Sequence, residues 1–312
     1  MENTIVDITN NSSSPELASL ANSDDWIVRR SVAGNPSAPS EVLDRLAGDK
    51  DVYVREAVAG NTSTSTKVLA KLATDEHRLV REAVAGNTST STEVLDRLAL
   101  DMNSDVRYAV AGNTSAPAET LNKLATDEKW AVRKAVARNT NTPSDELDAL
   151  ATDENKYIRR GVARNTSSSA ETLTRLAMNE DSDIRYWVTR NENAPAEALT
   201  RLATDEDWEI RQSVAKNKNS PINALNRLAT DRDWRVRWAV AGNPSIPPET
   251  LTKISRDRSK NVRLVVASNK NSPVEVLEGL TNDKSKDVRD AVKLNPSVPE
   301  HVKVFLALEP AN

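Results

Sequence analysis

The feature that most constrains this chain is an arginine that recurs every 26 residues without a break. Valine or isoleucine precedes each copy, valine follows three residues later, and asparagine follows six residues later. A fixed period of this length is typical of stacked supersecondary units, each of which buries its apolar face on its neighbours. The copies are Arg29, Arg55, Arg81, Arg107, Arg133, Arg159, Arg185, Arg211, Arg237, Arg263 and Arg289.

Each repeat contains two predicted helices. Residues 195–203 open with a proline suited to the first turn and carry leucines on one face, which predicts a short helix. Thr204 and Asp205 then supply a capping pair for a second helix over residues 206–216. Asn217 ends that helix, because asparagine tolerates the left-handed backbone conformation. Strand signals are absent.

Neither helix is long enough to be stable alone, so the pattern predicts an all-α solenoid with a core of Leu, Val, Ile and Ala. We expect a single repeat domain over residues 1–312. Residues 1–12 form a degenerate N-terminal cap, residues 13–298 form eleven repeats, and residues 299–312 form a C-terminal capping helix. Lys303 breaks the leucine register, as the wetted face of a terminal cap requires.

Composition excludes several classes of site. The net charge of −4, with 28% charged residues, gives no bulk attraction to nucleic acid or to a membrane. The absence of cysteine excludes disulfides, thiolate metal sites and a cysteine nucleophile. His77 and His301 lie far apart in the repeat register, so they do not predict a metal site. We expect no metal, no cofactor and no catalytic residue, and a cytoplasmic location because no secretory or membrane-spanning segment is evident.

The recurring arginine and asparagine indicate a structural role, since a reaction needs one constellation whereas this chain has eleven copies. Aspartate lies six residues before the arginine in most repeats, as Asp205 does before Arg211. This spacing favours charge-assisted hydrogen bonds within or between adjacent repeats. We expect the asparagines to bond backbone groups of the next turn.

Residues 228–251 resemble the leucine-rich repeat variant family. The likeness rests on Leu-x-x-Leu-Ala, Val-Arg-x-x-Val-Ala and Asn-Pro or Asn-Thr elements, and it extends over nearly the whole chain. The resemblance implies a right-handed α-solenoid, or superhelix, of tandem two-helix repeats. The Asp-to-Arg spacing is also similar to that of HEAT repeats. One described family member carries an iron–sulfur cluster, which a chain without cysteine cannot ligate through thiolates.

Variation between repeats concentrates in the second helix, at three and two residues before the arginine and at one and five residues after it. Nine of the ten Trp and Tyr residues occupy these positions, which a helical wheel places away from the core. We expect the rings to form a contiguous exposed stripe, which soluble monomers rarely carry without a partner. Trp187 replaces a small residue that faces the core and is predicted to fill a gap there.

Charge varies along the same positions. The N-terminal repeats carry acidic residues such as Glu56, Glu82 and Asp105, whereas the central repeats carry arginine and lysine. We therefore predict a basic and aromatic surface in the central repeats. Its candidate ligand-binding residues are Trp130, Lys134, Arg138, Tyr157, Arg160, Arg164, Tyr186, Arg190, Trp208, Lys216, Trp234 and Trp238.

These observations predict a non-enzymatic, monomeric recognition scaffold that binds a protein or peptide. With about 8–10 Å per helix layer, the groove should run on the order of 100 Å. The alternative is nucleic-acid binding through the central surface. Some HEAT-like solenoids are DNA-repair glycosylases, and that activity would need a carboxylate such as Asp183 or Glu209 among tryptophans. Helical-repeat bilin lyases share the solenoid, but no motif of theirs matches.

Overall fold

The computed structural model describes residues 13–300 and residue 302. In that part of the chain every regular element is an α-helix, and there are 22 of them. The predicted all-α, two-helix repeat is confirmed. Within the described residues, no helix combines the length and the hydropathy needed to span a membrane. The predicted caps, including Lys303, lie outside the described residues apart from residues 299, 300 and 302.

Short and longer helices alternate along the chain. The short helices have seven residues each and are α1 (Ser14–Leu20), α3 (Ser40–Leu46), α5 (Thr66–Leu72), α7 (Thr92–Leu98), α9 (Ala118–Leu124), α11 (Ser144–Leu150), α13 (Ala170–Leu176), α15 (Ala196–Leu202), α17 (Ile222–Leu228), α19 (Pro248–Ile254) and α21 (Val274–Leu280). The longer helices are α2 (Trp26–Ala33), α4 (Val52–Gly60), α6 (Arg78–Gly86), α8 (Ser104–Gly112), α10 (Trp130–Arg138), α12 (Lys156–Arg164), α14 (Ser182–Arg190), α16 (Trp208–Lys216), α18 (Trp234–Ala241), α20 (Lys260–Ser268) and α22 (Lys286–Leu294).

The chain forms two compact units, one ending at Ser167 (unit 1) and one beginning at Ser168 (unit 2). In unit 1 each longer helix from α2 to α10 packs on the next longer helix. The longer helices α14 to α22 pack in the same way in unit 2. Within each unit the short helices pack against the longer helices that flank them. Each unit is therefore an α-solenoid in which sequence neighbours are spatial neighbours.

The core of each unit is a line of buried aliphatic side chains. Leu69 from α5, with Val80 and Val84 from α6, is fully buried in unit 1. Leu225, Val236 and Val240 repeat this arrangement in unit 2. Burying one such side chain contributes about 1.5–3 kcal/mol. Helices of seven to nine residues are stable here because their neighbours bury these faces.

The longer helices begin two residues later than the sequence pattern predicts. α16 begins at Trp208, and its N-cap is Asp207, whose side chain accepts the N–H of Glu209. Asp205 was expected to cap this helix, but it instead accepts the N–H of Asp207 at 3.0 Å and pairs with Arg185. The first aspartate is engaged by the arginine, so the second one caps the helix.

Two other helix starts refine the sequence analysis. Pro195 is the N-cap of α15 in an extended conformation, so it precedes the first turn instead of forming part of it. His77 is the N-cap of α6, and its side chain accepts the N–H of Leu79 at 3.3 Å. His77 is exposed, which confirms that it is a surface residue.

The longer helices do not end in the left-handed conformation that we predict from asparagine. Asn217 follows α16 with φ −70° and ψ 126°, which is extended. No residue has a positive φ in the part of the chain that the structure describes. The prediction is wrong because the asparagine side chain, and not a left-handed turn, satisfies the backbone groups at the end of the helix.

Each of these asparagines joins its repeat to the preceding one. Asn113 Nδ2 donates to the carbonyls of Ala85 at 2.7 Å and Asn87 at 3.0 Å, and its Oδ1 accepts the N–H of Ser115 at 2.8 Å. The bonds therefore run to the previous repeat and to the residue's own turn. Asparagines that donate to both carbonyls are Asn61, Asn87, Asn113, Asn139 and Asn165 in unit 1, and Asn217, Asn243 and Asn295 in unit 2, while Asn269 donates to the Ala241 carbonyl. We call this series the asparagine ladder.

The arginines form a second series, the arginine–aspartate ladder. Arg211 Nε and Nη2 donate to the two carboxylate oxygens of Asp231 in the following repeat, at 2.6 and 3.0 Å. Arg211 Nη1 donates to the carbonyls of Asp205 and Glu206 in its own repeat, at 2.7 and 3.0 Å. The predicted charge-assisted bonds between adjacent repeats are confirmed. Arginines with such an aspartate are Arg29, Arg55, Arg81, Arg107, Arg133, Arg185, Arg211, Arg237 and Arg263.

Arg159 departs from this series. The residue twenty positions after it is Asn179 instead of aspartate. Arg159 Nη1 still donates to the carbonyls of Asp153 at 2.8 Å and Glu154 at 3.0 Å, but its Nε is buried without a hydrogen-bond partner. A buried donor without an acceptor costs about 1–3 kcal/mol. The last longer helix of unit 1 therefore lacks a stabilising bond that its predecessors have.

We expect Asp231→Asn to lower the free energy of unfolding by about 3 kcal/mol, because it leaves the buried guanidinium of Arg211 without its anion. Both side chains are less than a tenth exposed, at 7% and 8%. The control is Asp287→Asn, which removes an ion pair with Lys260 whose side chains are 62% and 61% exposed. It should cost less than about 1 kcal/mol. Equal losses in urea denaturation would show that the ladder is not a main source of stability.

The ladder also predicts the pH dependence of stability. Burial raises the pKa of Asp231, but hydrogen bonds from Arg211 and from the N–H of Asp233 outweigh it and lower the pKa below its ordinary value. A lowered carboxyl pKa contributes stability above the unfolded value of about 3.9, and this contribution is lost as the pH falls through the folded value. The thermal midpoint should fall steeply between about pH 4 and pH 2, and less steeply in Asp231→Asn. Identical slopes would contradict this attribution.

Asn113→Ala should lower the free energy of unfolding by about 2–3 kcal/mol, since it leaves buried backbone groups unpaired. Asn113 is 4% exposed. Asn113→Asp keeps the shape and removes the donor, so it should be at least as destabilising. The matched control is Ser115→Ala, which removes one exposed hydrogen bond to the Thr88 carbonyl and should have an effect below about 1 kcal/mol. A mild Asn113→Asp variant in urea denaturation would contradict the role of the donated bonds.

Candidate functional site

The predicted binding residues all lie on the surface of their unit. Six belong to α10 and α12 in unit 1, and six belong to α14, α16 and α18 in unit 2. Each is exposed or half-buried, and the exposed fractions of Trp130 and Tyr157 are 46% and 43%. Large apolar rings are expensive to leave in water. The prediction that the variable positions face away from the core is therefore correct for these helices.

Unit 1 carries aromatic cluster 1, which consists of Trp130, Lys134, Lys156, Tyr157 and Arg160. The rings of Trp130 and Tyr157 lie 6.2 Å apart between centroids and are tilted by 37°. Lys134 Nζ is 5.3 Å from the centre of the first ring and 6.0 Å from that of the second. The guanidinium of Arg160 lies 5.4 Å from the Tyr157 ring. Attraction between cations and ring faces holds these long side chains in place.

Positive charge is crowded in this cluster. Burial lowers the pKa of Lys134, and the charges of Arg138 and Arg160 lower it further. A cavity of about 270 Å³ lies beside Arg138 and Arg164, at the ends of α10 and α12. Gly161 permits close packing there, because a Cβ at this position would lie 3.0 Å from the Cβ of Ala137. An anionic group in this place would relieve the repulsion between the cations.

Unit 2 carries aromatic cluster 2, which consists of Trp208, Lys216, Trp234, Arg235 and Trp238. The guanidinium of Arg235 lies 4.5 Å from the Trp208 ring centre and 5.7 Å from the Trp234 ring centre. Lys216 Nζ lies 5.6 Å from the Trp238 ring centre. Trp234 and Trp238 are each 38% exposed. The cluster again combines accessible ring surface with cations.

A cavity of about 500 Å³ lies between α14 and α16 in unit 2. Tyr186 and Trp208 line it, as do Arg190 and Lys216 at the C-terminal ends of the two helices and Glu209 near the N-terminal end of α16. Asp183 and Asp207 also line the cavity near the N-terminal ends of these helices, so the cations lie at one end of the cavity and three carboxylates at the other. An elongated ligand would meet opposite charges at its two ends.

One set of contacts between neighbouring longer helices joins residues that are 27 positions apart, one more than the repeat period. They join the position three before the arginine to the position two before the next arginine. This spacing pairs Trp26 with Tyr53, Trp130 with Tyr157 and Trp208 with Arg235, and it also gives the ion pairs of Arg78 with Asp105 and Lys260 with Asp287.

The candidate set derived from the sequence omits several members of these contacts. Arg235 and Lys156 belong to the two clusters, and Arg30 lies 5.9 Å from the ring of Tyr53. Trp26 and Tyr53 form a further ring pair, with centroids 5.5 Å apart. A search for aromatic and basic residues 27 apart would have found two of the ring contacts and Arg235.

The rings form separate clusters instead of the contiguous stripe that the sequence analysis predicts. In unit 1 the repeat of Arg81 carries Arg78, Leu79 and Glu82 where other repeats carry rings, so the aromatic surface is interrupted. Trp187 is half-buried, and its ring meets that of Tyr186 edge-on at 5.7 Å and 81°.

The repeats of this chain are similar to those of known proteins. The family described as leucine rich repeat variant matches residues 26–51 and 130–155. No curated protein matches the chain. Among solved structures, a leucine-rich repeat variant with a novel repetitive structural motif is 28% identical, with a TM-score of 0.50. That alignment covers 69% of this chain and 85% of the other.

A second solved structure, Kap121p bound to Ste12p, is 12% identical with a TM-score of 0.49, and the alignment covers 99% of this chain and 47% of that one. The family match occurs in two separate repeats. Each matched segment contains the recurring arginine together with an asparagine and an aspartate at the ladder positions. The resemblance found in the sequence is confirmed: two repeats of the chain match the leucine rich repeat variant family, and the solved leucine-rich repeat variant is similar to this chain in structure.

Proposed function

We propose that this repeat protein is a non-enzymatic recognition scaffold that binds a protein or peptide through the variable positions of its longer helices. The observation that carries the proposal is the pairing of exposed rings with cations in both aromatic clusters. Tryptophan, tyrosine and arginine are the residue types that dominate binding hot spots. Both clusters lie at positions that the two ladders leave free to vary.

The partner that fits these clusters best is a peptide segment that carries both carboxylates and apolar side chains. In cluster 1 the lowered pKa of Lys134, which follows from burial and from the charges of Arg138 and Arg160, favours a negatively charged neighbour. The exposed parts of Trp130 and Tyr157 offer apolar area next to these cations. In unit 2, Arg190 and Lys216 offer the same chemistry beside Trp208.

The ring geometry favours a peptide over a single nucleic-acid strand. Base stacking needs a free ring face. Lys134 Nζ lies 5.3 and 6.0 Å from the two ring centres of cluster 1, and the Arg235 guanidinium lies 4.5 and 5.7 Å from those of Trp208 and Trp234 in cluster 2. A base that stacked on the ring faces next to these cations would first have to displace them. Carboxylates of a peptide, by contrast, can pair with the cations where they are.

The proposal that the protein is not an enzyme rests on where its recurring polar groups are used. The repeated arginines and asparagines are engaged in the two ladders. Of the two carboxylates that a glycosylase-like activity would use, Glu209 lies in the unit 2 cavity next to Trp208 and Asp183 lines the same cavity.

A peptide-display selection on the intact protein tests this proposal. We expect selected peptides to be rich in Asp and Glu with interspersed apolar residues. Trp130→Ser combined with Tyr157→Ser should weaken their binding at least about thirtyfold, since hot-spot side chains contribute about 2 kcal/mol or more. The matched control is Tyr108→Ser, which removes an exposed ring outside both clusters. Peptides that bind the double variant as tightly as the parent would overturn the assignment of cluster 1.

The nucleic-acid alternative makes a different prediction. Mixed-sequence single-stranded DNA, duplex DNA and RNA are compared at low and near-physiological salt, with the parent and with Arg160→Glu combined with Arg164→Glu. We expect weak binding that the variant barely changes. Tight binding that falls steeply with salt and disappears in the variant would replace the peptide proposal with a nucleic-acid one.

A further inference from the structure

Unit 2 contains a cavity of about 1090 Å³ between the short helices α19 and α21 and the loops that follow them. None of the residues of aromatic cluster 2 lines it. The floor includes the buried side chains of Val276 and Leu280, and the rim is polar. The cavity is therefore separate from the surface to which we assign peptide binding, and what it binds does not depend on that assignment.

Cavities of about 590 and 610 Å³ lie at the same place in the repeats that carry Arg201 and Arg227, and the present cavity is larger because glycine replaces the long cationic side chain. In most short helices the residue before the last leucine or isoleucine is basic, and three of these side chains in unit 1 reach the preceding short helix. Arg45 and Arg97 there donate to the carbonyls of Ala18 and Ala70, at 3.3 and 3.2 Å. The basic residues at this position are Arg45, Lys71, Arg97, Lys123, Arg175, Arg201, Arg227 and Lys253.

In α21 this position is Gly279, and a Cβ there would meet nothing within 4 Å. The space that an arginine side chain narrows in the repeats of Arg201 and Arg227 is therefore wider here. The residues around it are those of the preceding repeat on one side and of the loop after α21 on the other. Gly279 cannot make the side-chain contact that Arg45 and Arg97 make with the preceding short helix, and it leaves an open concave surface.

Four cations surround the opening: Lys253, Arg256, Arg258 and Lys284. All four are exposed, and within the described residues none of them forms an ion pair. Arg258 donates to the carbonyl of Arg232 at 3.2 Å, which holds its guanidinium at the rim. Convergent cations without carboxylate partners create a region of positive potential that attracts anions.

The nearby carboxylates do not neutralise these cations. Both aspartates belong to the arginine–aspartate ladder. Arg237 Nε lies 2.5 Å from Asp257 Oδ2, and Arg263 Nε lies 2.6 Å from Asp283 Oδ2. Glu275 is the remaining acidic residue of the cavity lining. The four rim cations therefore exceed the available negative charge, and a ligand with one negative charge would leave most of the excess in place.

We infer that this cavity binds a small ligand that carries several phosphate charges. Such a ligand combines high negative charge with a size that the cavity admits, and arginine and lysine are the usual partners of phosphate oxygens. The charge could be supplied by a free oligophosphate compound or by a peptide with closely spaced phosphoserines. Both would present the same phosphate oxygens to Arg256, Arg258 and Lys284.

Titration calorimetry with tripolyphosphate tests the inference on the intact protein. The decisive variant is Gly279→Arg, which adds a positive charge but narrows the cavity with the side chain that other repeats carry there, where the equivalent cavities have about 590 and 610 Å³. We expect saturable binding to the parent and a loss of at least about tenfold in the variant, although general charge attraction alone would strengthen binding. The matched control is Ala149→Arg, which adds the same charge at the same position of α11 in unit 1 and should leave binding unchanged.

A second arm uses a peptide with two adjacent phosphoserines and its unphosphorylated form, which separates the two sources of phosphate. Binding of either phosphate probe that Gly279→Arg abolishes and Ala149→Arg preserves would support the inference. No saturable binding of either probe, or equal binding to both variants, would overturn it. Circular dichroism of both variants shows that they fold. Because Trp130→Ser with Tyr157→Ser leaves this cavity intact, a failed peptide selection and a failed phosphate titration remain distinguishable.

Discussion

The rest of this structure depends on a buried guanidinium whose carboxylate lies in the next repeat. Helices of seven to nine residues cannot persist alone, so each repeat must be held to its neighbours by more than apolar contact. Apolar packing of Leu, Val and Ala is tolerant of sliding, because one aliphatic side chain resembles another. A bidentate pair such as that of Arg211 and Asp231 does not tolerate sliding, so it fixes the register of one repeat on the next. The asparagine ladder acts in the opposite direction along the chain, from each repeat to the one before it.

Because the two ladders and the apolar core hold the repeats together, the other positions of the chain are free to vary. The ladders and the aliphatic line engage one face and the ends of each longer helix, and the remaining positions carry no bond on which the stacking depends. Residues as different as Trp208, Lys260 and Ser182 occupy the same place in the repeat. The differences between repeats can therefore respond to a ligand instead of to the fold. Gly279 shows that the short helices have a variable position of the same kind, and the cavity beside it is larger than those beside Arg201 and Arg227.

Periodicity was enough to predict the helices, the aliphatic core and the contact of arginine with aspartate, because a strict repeat makes every local pattern visible eleven times. It was not enough where two residues compete for one role. Asp205 and Asp207 both suit an N-cap, and only the position of Arg185 decides between them. The extended backbone at Asn217 depends on carbonyls of the previous repeat. The aromatic clusters depend on the stacking offset of one residue, which joins Trp208 to Arg235 and follows from the geometry of the stack.

The ladders have a consequence for how such a chain changes in length. Every ladder bond that joins two repeats connects residues separated by a fixed number of positions along the chain, 20 for the arginine and 26 or 28 for the asparagine. Removing or duplicating one whole repeat within a unit restores each of these bonds between new neighbours. A deletion of any other length would place arginines opposite the wrong residues throughout the following stack. Recombination between repeats is therefore a conservative change for this protein, whereas a single-residue insertion in a helix is a severe one.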